Sequence, residues 1–157
     1  MSNSAYYDQM YLTWGHHASR FQGKGFFISG KHSNWRQTCG ALIRIVDFSK
    51  SMGPIETDSL VKKEIDALAT AGNPSRGSWL TEMLCHYLPK RYPLLNRRTR
   101  KWLEHIEFRS PRSASEGSTY IDLAIKLRAA LKENDYNEAN DMAEIDGAIS
   151  KWFELTF

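Results

Sequence analysis

The stretch from Gly72 to Glu104, GNPSRGSWLTEMLCHYLPKRYPLLNRRTRKWLE, narrows the possible folds of this chain more than any other segment. It sets a turn, an apolar helix, a proline-bounded loop and a strongly basic helix start side by side. Gly72 suits the position just past a helix end, where the backbone turns left-handed, and Pro74 prevents the helix from continuing. Ser75 or Ser78 then opens a helix in which Trp79, Leu80, Met83, Leu84, Tyr87 and Leu88 recur at amphipathic intervals. Pro89 ends it. Tyr92-Pro93-Leu94-Leu95 reads as extended, because a residue before proline avoids the helical region, and Asn96 is a natural N-cap for a helix through Trp102 and Leu103.

The flanking sequence carries the same periodicity. Ser33 is placed to cap a helix through Trp35, Leu42 and Val46, and a short helix is expected around Ser4–Trp14. Leu60, Ile65 and Leu68 belong to a helix that Thr57 or Asp58 is positioned to cap. After a polar loop at 109–118, Ser118 or Thr119 starts a helix with Tyr120, Leu123, Ala124, Leu127 and Leu131 on one face. A last helix carries Met142, Ile145, Ala148, Ile149, Trp152 and Phe153. No segment alternates as a strand does, and no repeat of solenoid period is present. The expected fold is therefore all-α: one domain of about six helices spanning 1–157, with an aromatic- and glycine-rich arm and the first helices in 1–50 and the helical core in 56–157. At 157 residues and 41% hydrophobic, the chain is large enough for one substantial core. The arm's aromatics, among them Trp14, Phe26, Phe27 and Trp35, are expected to complete that core rather than stack on bases.

Charge is more informative by position than by sum. The formal net charge is only +3, but Lys90, Arg91, Arg97, Arg98, Arg100, Lys101, Arg109 and Arg112 crowd into one region against Glu104 and Glu107. From Glu133 onward the chain is acidic, with Asp135, Glu138, Asp141, Glu144, Asp146 and Glu154 against Lys151. This asymmetry implies opposed basic and acidic faces. The helix start Asn96-Arg97-Arg98-Thr99-Arg100-Lys101 is unusual, because cations there oppose the helix dipole. A bound polyanion would account for them; a solvated basic face is the plainer alternative.

Other chemistry finds little footing. Cys39 and Cys85 have neither CxxC nor metal spacing and read as reduced thiols of a cytoplasmic protein. His16 and His17 diverge on a helix, and His32, His86 and His105 lack partners at ligand spacing, so neither a metal nor a cofactor is expected. Gly23-Lys24-Gly25 lacks the spacing of a phosphate loop. Apolar runs are too short for a membrane span.

The segment Pro74–Leu103 resembles the core of the helix-hairpin-helix DNA glycosylase superfamily, in which a glycine-rich hairpin, an apolar helix and a loop ending aromatic-Pro-aliphatic-aliphatic-Asp precede another helix. Tyr92-Pro93-Leu94-Leu95-Asn96 stands at that loop. The region Glu56–Phe157 also looks like helical modules of bacterial restriction and phage-defence proteins, with Ile145-Asp146-Gly147-Ala148-Ile149-Ser150-Lys151-Trp152 at a distal motif. The resemblance implies DNA-backbone binding without the glycosylase reaction. Asn96 stands where the catalytic aspartate would, and an amide cannot act as a base. Ser78 falls near the position of the nucleophilic lysine, and Pro74-Ser75-Arg76-Gly77 replaces the hairpin glycines.

The expected role is thus a non-catalytic, nucleic-acid-binding accessory or regulatory protein, with DNA favoured, in bacterial or phage defence or counter-defence. Arg76, Lys90, Arg91, Arg97, Arg98, Arg100 and Lys101 would contact phosphates, with backbone donors at Ser75 and Gly77. A protein-docking module with opposed charged faces is the first alternative, and a degenerate glycosylase or nuclease the second.

Overall fold

The computed structural model describes Ala5 and residues 32–133 and 139–157. Its helices are α1 (Trp35–Ser49), α2 (Pro54–Thr70), α3 (Ser78–Tyr87), α4 (Arg97–His105), α5 (Glu116–Glu133) and α6 (Met142–Thr156), with a 3-10 turn at Pro74–Arg76 between α2 and α3. No strand occurs among the described residues, and the fold is all-α. No described helix is long and apolar enough to cross a membrane. The short helix expected around Ser4–Trp14, and the arm residues Trp14, Phe26 and Phe27, lie outside the described residues apart from Ala5.

Several helix ends follow from local backbone chemistry. Asn34, not Ser33, caps α1: its side chain accepts from the Gln37 N–H, and Ser33 is buried. The end of α2 closes on Gly72, whose φ is 66°; its N–H bonds the Ala69 carbonyl, and the Asn73 N–H reaches back to Leu68. Asn96 caps α4, its Oδ1 accepting from the Thr99 N–H at 3.0 Å. Two starts come earlier than the periodicity indicates. The N-cap of α2 is Gly53 with Pro54 in the first turn, so Thr57 and Asp58 are interior and buried. α5 starts at Glu116, after Ser115, whose Oγ accepts from the Ser118 N–H at 3.1 Å.

α3 is the axis of the core. Every residue from Trp79 to Cys85 is buried, so the helix is enclosed all round rather than amphipathic, and Tyr87 points outward. The difference arises because α1 and α6 both pack on it, covering faces that a surface helix would leave wet. Trp79 meets Trp35 of α1 edge to face, with centroids 5.1 Å apart. α1 also packs on α2, α2 on α5, and α4 on α6.

The α2–α5 contact depends on a glycine. A Cβ on Gly117 would lie 2.3 Å from the Lys62 carbonyl oxygen of α2, a distance no real contact tolerates. The absent side chain lets the Gly117 N–H donate to Asp66 Oδ1 at 2.8 Å, while Ser115 donates to Asp66 Oδ2 at 2.9 Å. Asp66 thereby neutralises the first turn of α5 from the neighbouring helix. Two turns earlier on α2, Asp58 accepts from the Tyr92 hydroxyl at 2.8 Å and from both terminal nitrogens of Arg128.

Three substitutions separate these effects by urea denaturation. Gly72→Ala meets open space and costs only its left-handed backbone, roughly 1 kcal/mol. Gly117→Ala must push two helices apart and costs more, about 1–3 kcal/mol. Arg128→Ala leaves the Asp58 charge buried and is the most damaging, at about 3–5 kcal/mol.

Candidate nucleic-acid interface

The nine residues expected at the interface are divided by the fold into engaged and free groups. Ser75 is buried, its hydroxyl 2.5 Å from that of Thr38 and 3.0 Å from Asn73 Oδ1. Arg76 donates from Nε and Nη2 to the two oxygens of Glu116, at 2.7 and 2.9 Å, and from Nη1 to the Asn73 carbonyl at 2.9 Å. The pairing is mutual: hydrogen bonding to Glu116 raises Arg76, and hydrogen bonding to Arg76 holds the Glu116 carboxyl below its usual range. Ser75 and Arg76 therefore knit the 3-10 turn to α1 and α5.

The loop between α3 and α4 fixes the rest. Tyr92 is anchored through Asp58, and the Tyr120 hydroxyl donates to the Pro93 carbonyl at 2.7 Å. The Leu95 N–H donates to Thr81 Oγ1 of α3 at 2.9 Å. Pro89 accepts from the Met142 N–H at 2.8 Å, which starts α6 against the same loop. Asn96 then fixes the first turn of α4 with two bonds, from the N–H and the hydroxyl of Thr99. Its amide thus has a local structural task.

On that turn Arg97, Arg98, Arg100 and Lys101 are all exposed. Lys101 pairs with Glu104 at 3.0 Å, and Arg98 donates to Ser150 Oγ of α6 at 3.0 Å. Arg98 also faces Asp146: burial raises the Asp146 carboxyl above its usual range, and the Arg98 charge opposes that rise. Arg97 and Arg100 have no carboxylate partner within ion-pair distance among the described residues. Neither have Lys90, which is exposed, and Arg91, which is half-buried. Arg100 leans toward the 3-10 turn, its Nη2 only 3.7 Å from where a Gly77 Cβ would stand. The candidate site is therefore a pinned loop followed by a capped, cation-bearing helix turn.

A trough beside this turn was not foreseen from the sequence. Two hollows, of about 420 and 590 Å³, lie along α5 and share Leu95, Arg100, Thr119 and Tyr120. Its walls come from four separate segments, so no local pattern announces it. Set against protein-family models, curated proteins and solved structures, the chain matches none of them.

Cys85 is not poised as a nucleophile. Burial, reinforced by the nearby carboxylates of Asp146, Asp141 and Glu82, pushes its thiol up to about 12, so it is protonated at neutral pH. At pH 8, iodoacetamide followed by mass spectrometry should leave Cys85 unmodified in the native protein and label it fully in urea.

Proposed function

We propose that the chain is a non-catalytic nucleic-acid-binding protein that takes the phosphate backbone on the first turn of α4. The observation that carries the reading is a set of cations that the fold holds outward and leaves without carboxylate partners. Arg97 and Arg100 sit at the positive end of a helix dipole, where each costs about 0.3–1 kcal/mol if nothing anionic is near. A phosphodiester backbone reverses that sign, and binding releases its condensed counterions. Lys90, on the preceding loop, adds a mobile point charge, whereas the forked guanidinium groups suit phosphate oxygens directly.

DNA is the favoured polymer on the resemblance of Pro74–Leu103 to the glycosylase core. The further resemblance of Glu56–Phe157, with Ile145–Trp152 at the distal motif, to modules of restriction and phage-defence proteins supports an accessory or regulatory role in defence or counter-defence. Two features argue against chemistry at this face. Asn96 is committed to capping α4, and Cys85 is a buried, protonated thiol.

Fluorescence anisotropy with labelled duplex and single-stranded DNA over a salt series tests the reading. Log affinity should fall linearly with log salt, and Lys90→Ala with Arg97→Ala should make the slope shallower by about one per lost contact. Their thermal unfolding should stay close to that of the parent chain, since exposed substitutions usually change stability by less than about 0.5 kcal/mol. Absence of binding to either polymer at low salt overturns the proposal.

A further inference from the structure

α4 rests on α6 and α5 rests on α2, and between α4 and α5 the trough remains open. Its two hollows differ in character. The larger is walled by Pro74, Arg76, Gly77, Ser78, Thr81 and Glu116 around the shared neck. The smaller is lined by Leu103, Phe108 and Leu123, with Glu104, Glu107 and Arg109 at its edge. The larger hollow holds two guanidinium groups, Arg76 and Arg100, against one carboxylate, Glu116, which pairs with Arg76 and also feels Arg100, so its lining carries one excess positive charge. In the lining of the smaller hollow Arg100 and Arg109 are equalled in number by Glu104 and Glu107. An anionic group is thus favoured in the larger hollow and an uncharged body in the smaller.

The donors fit this polarity. Arg100 comes from α4, Ser78 from the start of α3 and Thr119 from the first turns of α5, and all three line the larger hollow. None of these side chains makes a hydrogen bond to another protein group among the described residues. Thr81, by contrast, is occupied by the Gly77 carbonyl and the Leu95 N–H. Three free donors on three elements match the three terminal oxygens of a phosphate monoester better than the two of a carboxylate. The apolar half, formed by Leu103, Phe108 and Leu123, suits a flat ring system. Each hollow falls in the size range of small-ligand sites, about 300–1,000 Å³.

The lip of the smaller hollow shows a second sign of specialisation. Glu107 has φ 55°, in the left-handed region that a glycine normally occupies after a helix end. The Phe108 N–H reaches back to the Leu103 carbonyl at 2.9 Å, which turns Phe108 into the hollow. A non-glycine residue held there is the kind of local strain found around ligand sites.

We infer that the α4–α5 trough is a binding site for a phosphate monoester on a flat, apolar body, the chemistry shared by a free nucleoside monophosphate and the phosphorylated end of a nucleic-acid strand. The inference deepens the proposed function and rests on it, since Arg100 serves both the trough and the outer face. A terminal phosphate offers three oxygens to the three donors, whereas a backbone phosphodiester offers two.

The test uses the full chain and titration calorimetry with AMP, adenosine, phenyl phosphate and benzoate. AMP should bind at least about tenfold more tightly than adenosine, and phenyl phosphate more tightly than benzoate. Ser78→Ala and Thr119→Val should each weaken AMP by about tenfold while leaving thermal unfolding unchanged. Their binding to an unphosphorylated oligonucleotide should also stay at the parent level, because neither belongs to the outer face. A 5′-phosphorylated oligonucleotide that outcompetes its 5′-hydroxyl twin assigns the site to strand ends. Equal binding of the two, with AMP still bound, assigns it to free nucleotide. AMP no better than adenosine, benzoate better than phenyl phosphate, or no effect of both substitutions overturns the inference. Oligonucleotide binding that persists in that case leaves the outer-face function standing. AMP binding without any oligonucleotide binding overturns that function instead.

Discussion

A single buried carboxylate, Asp58, holds together the parts of this protein that would otherwise have little reason to meet. A charge withdrawn from water is strongly unfavourable unless it is paired and hydrogen-bonded. Asp58 is satisfied by Arg128 from α5 and by the Tyr92 hydroxyl from the α3–α4 loop. Burial opposes the charge on Arg128, yet its bonds to Asp58 outweigh that cost and raise it. Burial, with the Asp58 bond, also pushes the Tyr92 hydroxyl up, so it remains a neutral donor. Three segments distant in sequence are tied through one acidic side chain.

The consequences reach the basic turn. Tyr92 stacks on Tyr120 at 6.2 Å, and Tyr120 in turn holds the Pro93 carbonyl. The loop cannot slide without breaking these contacts, and it delivers Asn96 to the head of α4. The direction in which Arg97 and Arg100 project is thus inherited from a charge network in the core. On the other flank, Gly117 and Asp66 fix the start of α5, which sets the far wall of the trough. The same α2 face supplies both constraints, Asp58 near its start and Asp66 two turns later.

Features governed by local backbone chemistry were legible in the sequence. The left-handed Gly72, the break at Pro89 and the cap at Asn96 each follow from what one residue can do with its own neighbours. Helix starts were legible in part: Asn96 and Ser78 mark α4 and α3, whereas Gly53 offers no side-chain cap, so α2 begins before its periodicity does. Thr57 and Asp58 resemble caps because both are short polar side chains, but Asp58 is matched by residues thirty-four and seventy positions away. The enclosure of α3 depends on how many helices surround it, which its own spacing does not encode. The candidate interface divides in the same way. Arg97, Arg98 and Arg100 stand out as a run, whereas the engagement of Arg76 by Glu116, forty residues on, has no local signature. Ser78 and Thr119 become neighbours of Arg100 only through the packing of α3, α4 and α5.

The charges of α4 separate by what opposes each of them. Lys101 finds Glu104 within its own helix, and Arg98 turns toward Ser150 and Asp146 on α6. Arg98 thereby helps to seat α4 on α6, while Lys101 is matched within α4 itself. Arg97 and Arg100 have no such task, and the dipole of α4 works against both of them. The Asn96 cap, worth about 1 kcal/mol, is of the same order as that repulsion, so the helix can carry the pair without a ligand. A helix start that needs its cap to offset its own side chains is poorly arranged for stability alone. It is well arranged for an anion that arrives from outside, because such a ligand gains the free N–H groups, the dipole and both guanidinium groups together.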